Sequence, residues 1–380
     1  MSGKERNSPF VDPGAVEAWD AWFRLRKGER IEDLSIEETW ARVARALSLA
    51  EAEKKSDWEH RFYSAMSSWR LLVDERIIAG SCTGVCELCT KGFVGVVNAA
   101  AFVLRPCHPD AAFDFGEFAR TSELAMRALD NATVSQHTES GCRIRVGMIG
   151  VTDALTLLGM RYDSAAARSW VRRLARAFAE GCFRANVQLA EERGGRYPYL
   201  ETNQTPPEAS ALFVELVARA RAAGLRHDSV TMISPNPKLA LLANNVADAL
   251  DPLHTSSTLH TIESAATRRT VRSPGYAAIL AAQHPRAEIA ELVAANSINA
   301  VSVQAQIELR IAMQSWIDMP IDYPVPVAGE QPNGASMAQW RLLASENRLG
   351  DLRIHLLEPE NQKSVFSDAL HSCESPTPTH

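Results

Sequence analysis

The chain is poor in the features that announce a macromolecular partner. It has no basic excess, with 40 Lys and Arg against 46 Asp and Glu and a net charge of -6, so it carries no electrostatic footprint for a nucleic acid. It has no long hydrophobic run: a smooth apolar stretch such as VGVVNAAAFVL falls well short of the roughly 20 residues that cross a bilayer. The beginning, MSGKERNSPFVDPG, is polar and lacks a run of signal-peptide length. No glycine-rich Walker loop or dinucleotide fingerprint is present. We therefore expect a cytoplasmic protein with no nucleic-acid and no membrane partner. His108, His137, His227, His254, His260 and His284 are scattered, none forms an i, i+4 ligand pair on a clear helix, and each is expected at the surface.

Cysteine is scarce but clustered. Seven is an odd count in a chain with no export signal, which argues against a disulfide framework and for reduced thiols or metal ligands. Three of the seven, Cys82, Cys86 and Cys89, fall in GSCTGVCELCTKG. Their C-x3-C-x2-C spacing can present three thiolates to an iron-sulfur cluster with one iron left open. Radical S-adenosylmethionine enzymes use that spacing, although Leu88 stands where an aromatic residue is usual. Zinc is a second reading, with Cys107 or His108 of RPCHP as the fourth ligand. A third takes Cys86 and Cys89 as a Cys-x-x-Cys redox pair. A fourth takes all three as reduced structural residues in a buried turn. Cys142 and Cys182 read as small core residues.

Apolar residues make up 46% and charged residues 23% of 380, the balance of a soluble globular protein with one principal domain. Ser35-Ile-Glu-Glu38 has the form of a capping box opening a helix. A second helix, from about Ser56 to Leu72, has Trp58, Phe62, Met66 and Trp69 on one core-facing stripe. GFVGVVNAAAFVL reads as a strand, and Phe115 to Asp130 as a helix whose end is capped by Asp130 and Asn131. CRIRVGMIGVTDALTLLG reads as a strand and a short helix capped by Asp153. A long amphipathic helix from Ser164 to Glu192 follows, with Glu191, Glu192 and Arg193 orienting the chain at its end. SVTMISPNPKLALLANN reads as strand, proline-rich turn and helix start, and ATRRTVRS as a solvated loop or, second, as a contact for an anionic substrate. Strands alternating with helices argue for an α/β arrangement with parallel strands. The expected division is a helical segment over 1–79, an α/β domain over 80–370 and a disordered tail over 371–380.

In colinear order, SIEETWARVARALSLAE, WEHRFYSAMSSWRLL, GFVGVVNAAAFVL, FDFGEFARTSELAMRALDN, RIRVGMIGVTDALTLLGMRYDSAAA, LAEERGGRYP, TMISPNPKLALLANNVADALDPL, IAMQSWIDMPIDYPV and LGDLRIHLL resemble the catalytic subunit of ribonucleotide reductase, its cobalamin-dependent class above all. The resemblance implies a ten-stranded α/β barrel, with a finger-loop cysteine flanked by an asparagine and a glutamate. Here the entry helices end near Ile78 and the reductase-like strand resumes at Gly92, so the cysteine cluster stands where the first half of the barrel is expected. The expected fold is a partial barrel preceded by N-terminal helices, and a homodimer that covers the open strand edges.

With Cys82 in the finger-loop place, Gly80 and Gly84 replace the asparagine and glutamate, and Gly92 replaces the second redox cysteine. The phosphate loop becomes Pro235-Asn236-Pro237-Lys238, in which Pro237 removes one amide donor. The resemblance makes Asn98, Pro235, Asn236 and Lys238 substrate-binding candidates, and Cys82, Cys86 and Cys89 catalytic ones. Candidate metal ligands are Cys82, Cys86, Cys89, Cys107 and His108. An iron-sulfur cluster, zinc and adenosylcobalamin are the candidate cofactors. The leading expectation is a diverged redox or radical enzyme acting on a nucleoside or another small polar metabolite. The alternatives are a catalytically inactive homologue that binds or regulates, and a radical S-adenosylmethionine enzyme.

Overall fold

Helix formation begins where the sequence places it, though not by the expected bonds. In the computed structural model, which describes residues 9–28, 30–80, 92–135, 143–200, 211–254, 258–263, 268–284, 286–329, 332–357 and 363–366, Ser35 makes no side-chain capping bond. The Glu38 carboxylate instead accepts from the Leu34 N–H at 2.6 Å, one residue earlier than a capping box requires.

The N-terminal part contains α1 (Pro13–Ala18), the hairpin of β1 (Arg26–Lys27) and β2 (Arg30–Ile31), α2 (Ile36–Ser48), α3 (Lys55–Ser67), β3 (Leu71–Leu72) and α4 (Glu75–Gly80). Trp69 lies beyond α3 in the left-handed region, at φ 58°. It still joins the aromatic core, 5.7 Å from Trp40 and 5.3 Å from Phe10 between ring centroids.

The middle part runs through β4 (Phe93–Asn98), a 3-10 turn at Ala99–Phe102, β5 (Val103–Leu104), β6 (Ala112–Phe113), α5 (Phe115–Ser135), β7 (Ile144–Ile149), α6 (Val151–Leu157) and α7 (Ala165–Arg193). The Ser164 hydroxyl accepts from the Ala167 N–H and so opens α7. Helices α5 and α7 pack together, with Phe118 and Phe178 6.3 Å apart. Cys182 is buried between them, its thiol 3.8 Å from the Ser122 carbonyl.

The last part holds α8 (Ala211–Ala223), α9 (Pro237–Leu242), β8 (Thr258–Glu263), β9 (Arg268–Ser273), α10 (Tyr276–Gln283), α11 (Ala287–Ala295), α12 (Val303–Gln314), β10 (Val325–Ala328), α13 (Gly334–Glu346), β11 (Ile354–Leu357) and β12 (Lys363–Phe366).

The central sheet has the order β3-β4-β7. Strand β3 is antiparallel to β4, β4 is parallel to β7, and a parallel bridge from Val146 to Thr231 continues the layer. Its faces are read from two glycines one register apart. A Cβ on Gly95 would meet Leu129 of α5, whereas one on Gly147 would meet the Met232 carbonyl at 2.9 Å and approach the Asn236 amide. Helix α5 therefore covers one face, and the loop leading into α9 covers the other. Strands β10 and β11 pair in parallel in a separate sheet, and β12-β8-β9 form a third.

The α/β expectation is met by a mixed α/β fold of small sheets, and no closed barrel is formed among the described residues. The ATRRTVRS reading is corrected: residues 268–273 are strand β9, paired with β8, and Arg269 meets Glu17 at 2.6 Å. No helix among the described residues is long and apolar enough to cross a membrane.

Candidate functional site

Ligands of parallel α/β sheets gather beyond the carboxyl ends of the strands, and the substrate-binding candidates Asn98, Pro235 and Asn236 lie there. Asn98 ends β4, buried, and its side-chain oxygen accepts from the Ala100 N–H at 3.2 Å to cap the 3-10 turn. Gly150 ends β7 at φ 69°, and a Cβ there would collide with the Asn98 side chain. Beside them Pro235-Asn236-Pro237 turns into α9 with Pro237 in the first turn.

The loop that would cradle a phosphate already holds a group of its own. The Asn236 N–H donates to both oxygens of Asp248, at 2.8 and 2.9 Å. The Asn236 side-chain amide donates to the Ser234 carbonyl at 2.8 Å. Lys238 is drawn away toward Glu75, 3.6 Å distant, and over the Trp22 ring. Burial, with Asp251 nearby, pushes the Asp248 carboxyl up to about 8.

Asp153 is not the helix cap expected of it. It lies inside the first turn of α6, fully buried, and accepts from the Ala247 N–H at 2.6 Å and the Ala277 N–H at 3.0 Å. Burial pushes it up to about 6. It therefore ties the loop before Asp248 and the start of α10 to the end of β7. Asp251, also pushed up to about 6 by burial, lies 3.8 Å from Arg310.

A second polar cluster lies away from the strand ends, and most of it was missed in the sequence. Asp130 and Asn131 are not terminal caps, because α5 continues to Ser135. Asp130 is fully buried and meets Arg193, Arg226 at 3.1 Å and the His227 ring at 2.9 Å. These partners hold its carboxyl well below the usual carboxylate range despite the burial that opposes them.

Asn131 donates to Glu51 at 2.7 Å, and Arg127 bridges Glu51 and Glu192 at 2.7 and 2.6 Å. Glu191, by contrast, reaches Arg219 at the surface. The surface expectation for His227 and His260 is corrected: both are buried. Burial drives His260 down to about 3, with His254 adding to the shift. His260 could have been read from the alternating strand TLHTIE, whereas His227, between Arg226 and Asp228, carries no local signal of burial.

Cys82, Cys86 and Cys89 lie outside the described residues. The structure does place both ends of their segment: Arg42 donates to the Ile78 carbonyl at 2.8 Å in α4, Arg76 to the Gly92 carbonyl, and the Val94 N–H to Asp74 at 2.8 Å. Cys107 is buried against Leu157, Ala281 and Ile289, and burial pushes its thiol up while Arg286 offsets part of that. His108 is exposed and accepts from the Asp110 N–H through Nδ1 at 3.1 Å. Among the described residues no group of three His, Cys, Asp or Glu is placed to hold a metal ion. The iron-sulfur and zinc readings therefore rest on the cysteine cluster itself, and the adenosylcobalamin reading on the family resemblance alone.

Residues 73–321 match the family described as "Ribonucleotide reductase, barrel domain". The chain belongs to the ribonucleotide reductase family. Residues 23–84 of this reductase-family chain match a second description, "Ribonucleotide reductase, all-alpha domain". One curated relative is "Ribonucleoside-diphosphate reductase subunit alpha" from Chlamydia pneumoniae, 35% identical over 65 residues. That stretch is 17% of this chain and spans only 6% of the relative.

Proposed function

We propose that this reductase-family protein serves as a binding or regulatory protein, in which the family's phosphate loop has been closed from inside and nucleotide reduction has been lost. The observation that carries this reading is the Asn236 N–H donating to both oxygens of Asp248. An incoming phosphate would have to displace that carboxyl group, and the next position, Pro237, offers no N–H in its place. Lys238 is engaged by Glu75 and Trp22. The family implies a nucleotide substrate, so the decisive measurement is calorimetric titration of the full chain with ADP and CDP. The expected result is that Lys238→Ala changes no nucleotide binding at millimolar concentration, because none takes place at the strand-end loop. Saturable binding that Lys238→Ala abolishes would overturn the proposal.

A second reading, redox or radical chemistry on a nucleoside-like metabolite through Cys82, Cys86 and Cys89, is favoured by the firm anchoring of their segment at Ile78 and at Gly92 to Val94. It predicts that serine at any of the three removes bound iron or zinc, or turnover, while the fold persists. Elemental analysis and an absorption spectrum of anaerobically purified protein check this. Metal content and turnover unchanged in all three variants would sink it.

A further inference from the structure

Arg105, Pro106, Cys107, His108, His284 and Arg286 line an open cleft of ≈ 390 Å³. That size falls within the range of roughly 300–1,000 Å³ typical of small-ligand sites. Among the described residues its lining brings together two guanidinium groups and two imidazoles and includes no carboxylate. The nearest acids, Asp110 and Glu288, are 65% and 76% exposed, 3.4 Å from Arg105 and 2.8 Å from Arg286. Exposed pairs of that kind are weak and exchangeable.

The walls, in contrast, are fixed. The Cys107 N–H donates to the Leu157 carbonyl at 3.2 Å, and Arg286 donates to the Cys107 carbonyl at 3.0 Å. The bend at this wall is tight enough to put both Arg105 and Cys107 in the left-handed region, at φ 51° and 62°. The cleft lies on the loop between β5 and β6 and on the turn between α10 and α11, separate from the strand-end loop around Asn236.

We propose that this cleft binds a small phosphate monoester, with its phosphoryl group between Arg105 and Arg286 and its organic part against Pro106. Arg105 offers its guanidinium fork and Arg286 the nitrogen it now turns to exposed Glu288, which together match the terminal oxygens of a phosphoryl dianion, and each histidine supplies one further ring N–H donor. A lone carboxylate carries a single negative charge and so matches two guanidinium groups less well than a phosphoryl dianion.

The test is calorimetry and phosphorus NMR on the full chain with inorganic phosphate and phenyl phosphate. The expected result is saturable one-to-one binding, tighter for phenyl phosphate, and weakened at least tenfold in Arg105→Ala/His284→Ala. Both residues are exposed, so the variant's melting temperature without ligand should stay unchanged. Arg286→Ala is avoided because Arg286 holds the Cys107 carbonyl. No saturable binding, equal binding by the double variant, or phenyl phosphate binding no tighter than phosphate would overturn this proposal alone. Binding abolished by Lys238→Ala but kept by the double variant would place the anion at the strand-end loop, and would overturn the closed-loop reading as well.

Discussion

Asp130 and Asp153 are both fully buried, yet the protein drives their carboxyl groups in opposite directions. Asp130 is surrounded by Arg193, Arg226 and His227 and is held far below the usual range. Asp153 has only backbone N–H groups and rises to about 6. Burial favours the neutral acid in both places, and only cations within reach reverse it. The two regions therefore have different tasks. The Asp130 cluster joins α5 to the end of α7 and the chain at Arg226 through full charges. The Asp153 contacts tie loops together with hydrogen bonds that tolerate a neutral acid.

The largest expected effect comes from Asp130→Ala, which leaves Arg226 and His227 buried without their shared carboxylate. Urea unfolding should show a loss of about 3–5 kcal/mol. A loss below about 1 kcal/mol would mean that the cluster is solvated rather than buried. Asp153→Asn keeps the shape but turns an amide nitrogen toward one of two N–H donors, and should cost about 1–3 kcal/mol.

The third expectation concerns pH, where the two regions act with opposite sign. For Asp153, Asp248 and Asp251 the folded values are raised to about 6, 8 and 6. The unfolded chain therefore loses its protons first, and their contribution to stability declines as pH rises from about 4 through about 8. Asp130 is lowered, so its contribution is present above about pH 4 and fades as pH falls below that. Above about pH 6.5, where buried His260 no longer opposes the trend, melting temperature should decline as pH rises toward 8, and Asp248→Asn should flatten that decline. An unchanged slope in the variant would remove Asp248 as its source.

Much of the scaffold was legible from periodicity. The long α7 helix and its Ser164 cap, the strands β4 and β7, and the turn into α9 at Pro237 lie close to where the pattern places them. Each depends on neighbours a few residues away, through capping, alternation or proline geometry. Misreadings collected where a residue's partner is distant. Asp130 and Asp153 look like caps because acids near a helix end usually are, yet their partners stand as far away as His227 and Ala277. Strand β9 looked like a solvated loop because four of its six side chains are exposed, and only its ladder to β8 marks it as strand. At the candidate site, the missing amide at Pro237 was visible in the chain. The carboxyl group of Asp248 that fills the place was not.

By itself, then, the sequence determined the order of helices and strands, the family likeness carried by their spacing, and the missing N–H at Pro237. These follow from local backbone chemistry. Only the tertiary structure decided which acids are charged, that the Asn236 amide is occupied, and that Arg105, His108, His284 and Arg286 share one cleft. The physical reason is that pairing and desolvation depend on distance in space: His227 lies 97 residues along the chain from the carboxylate it meets.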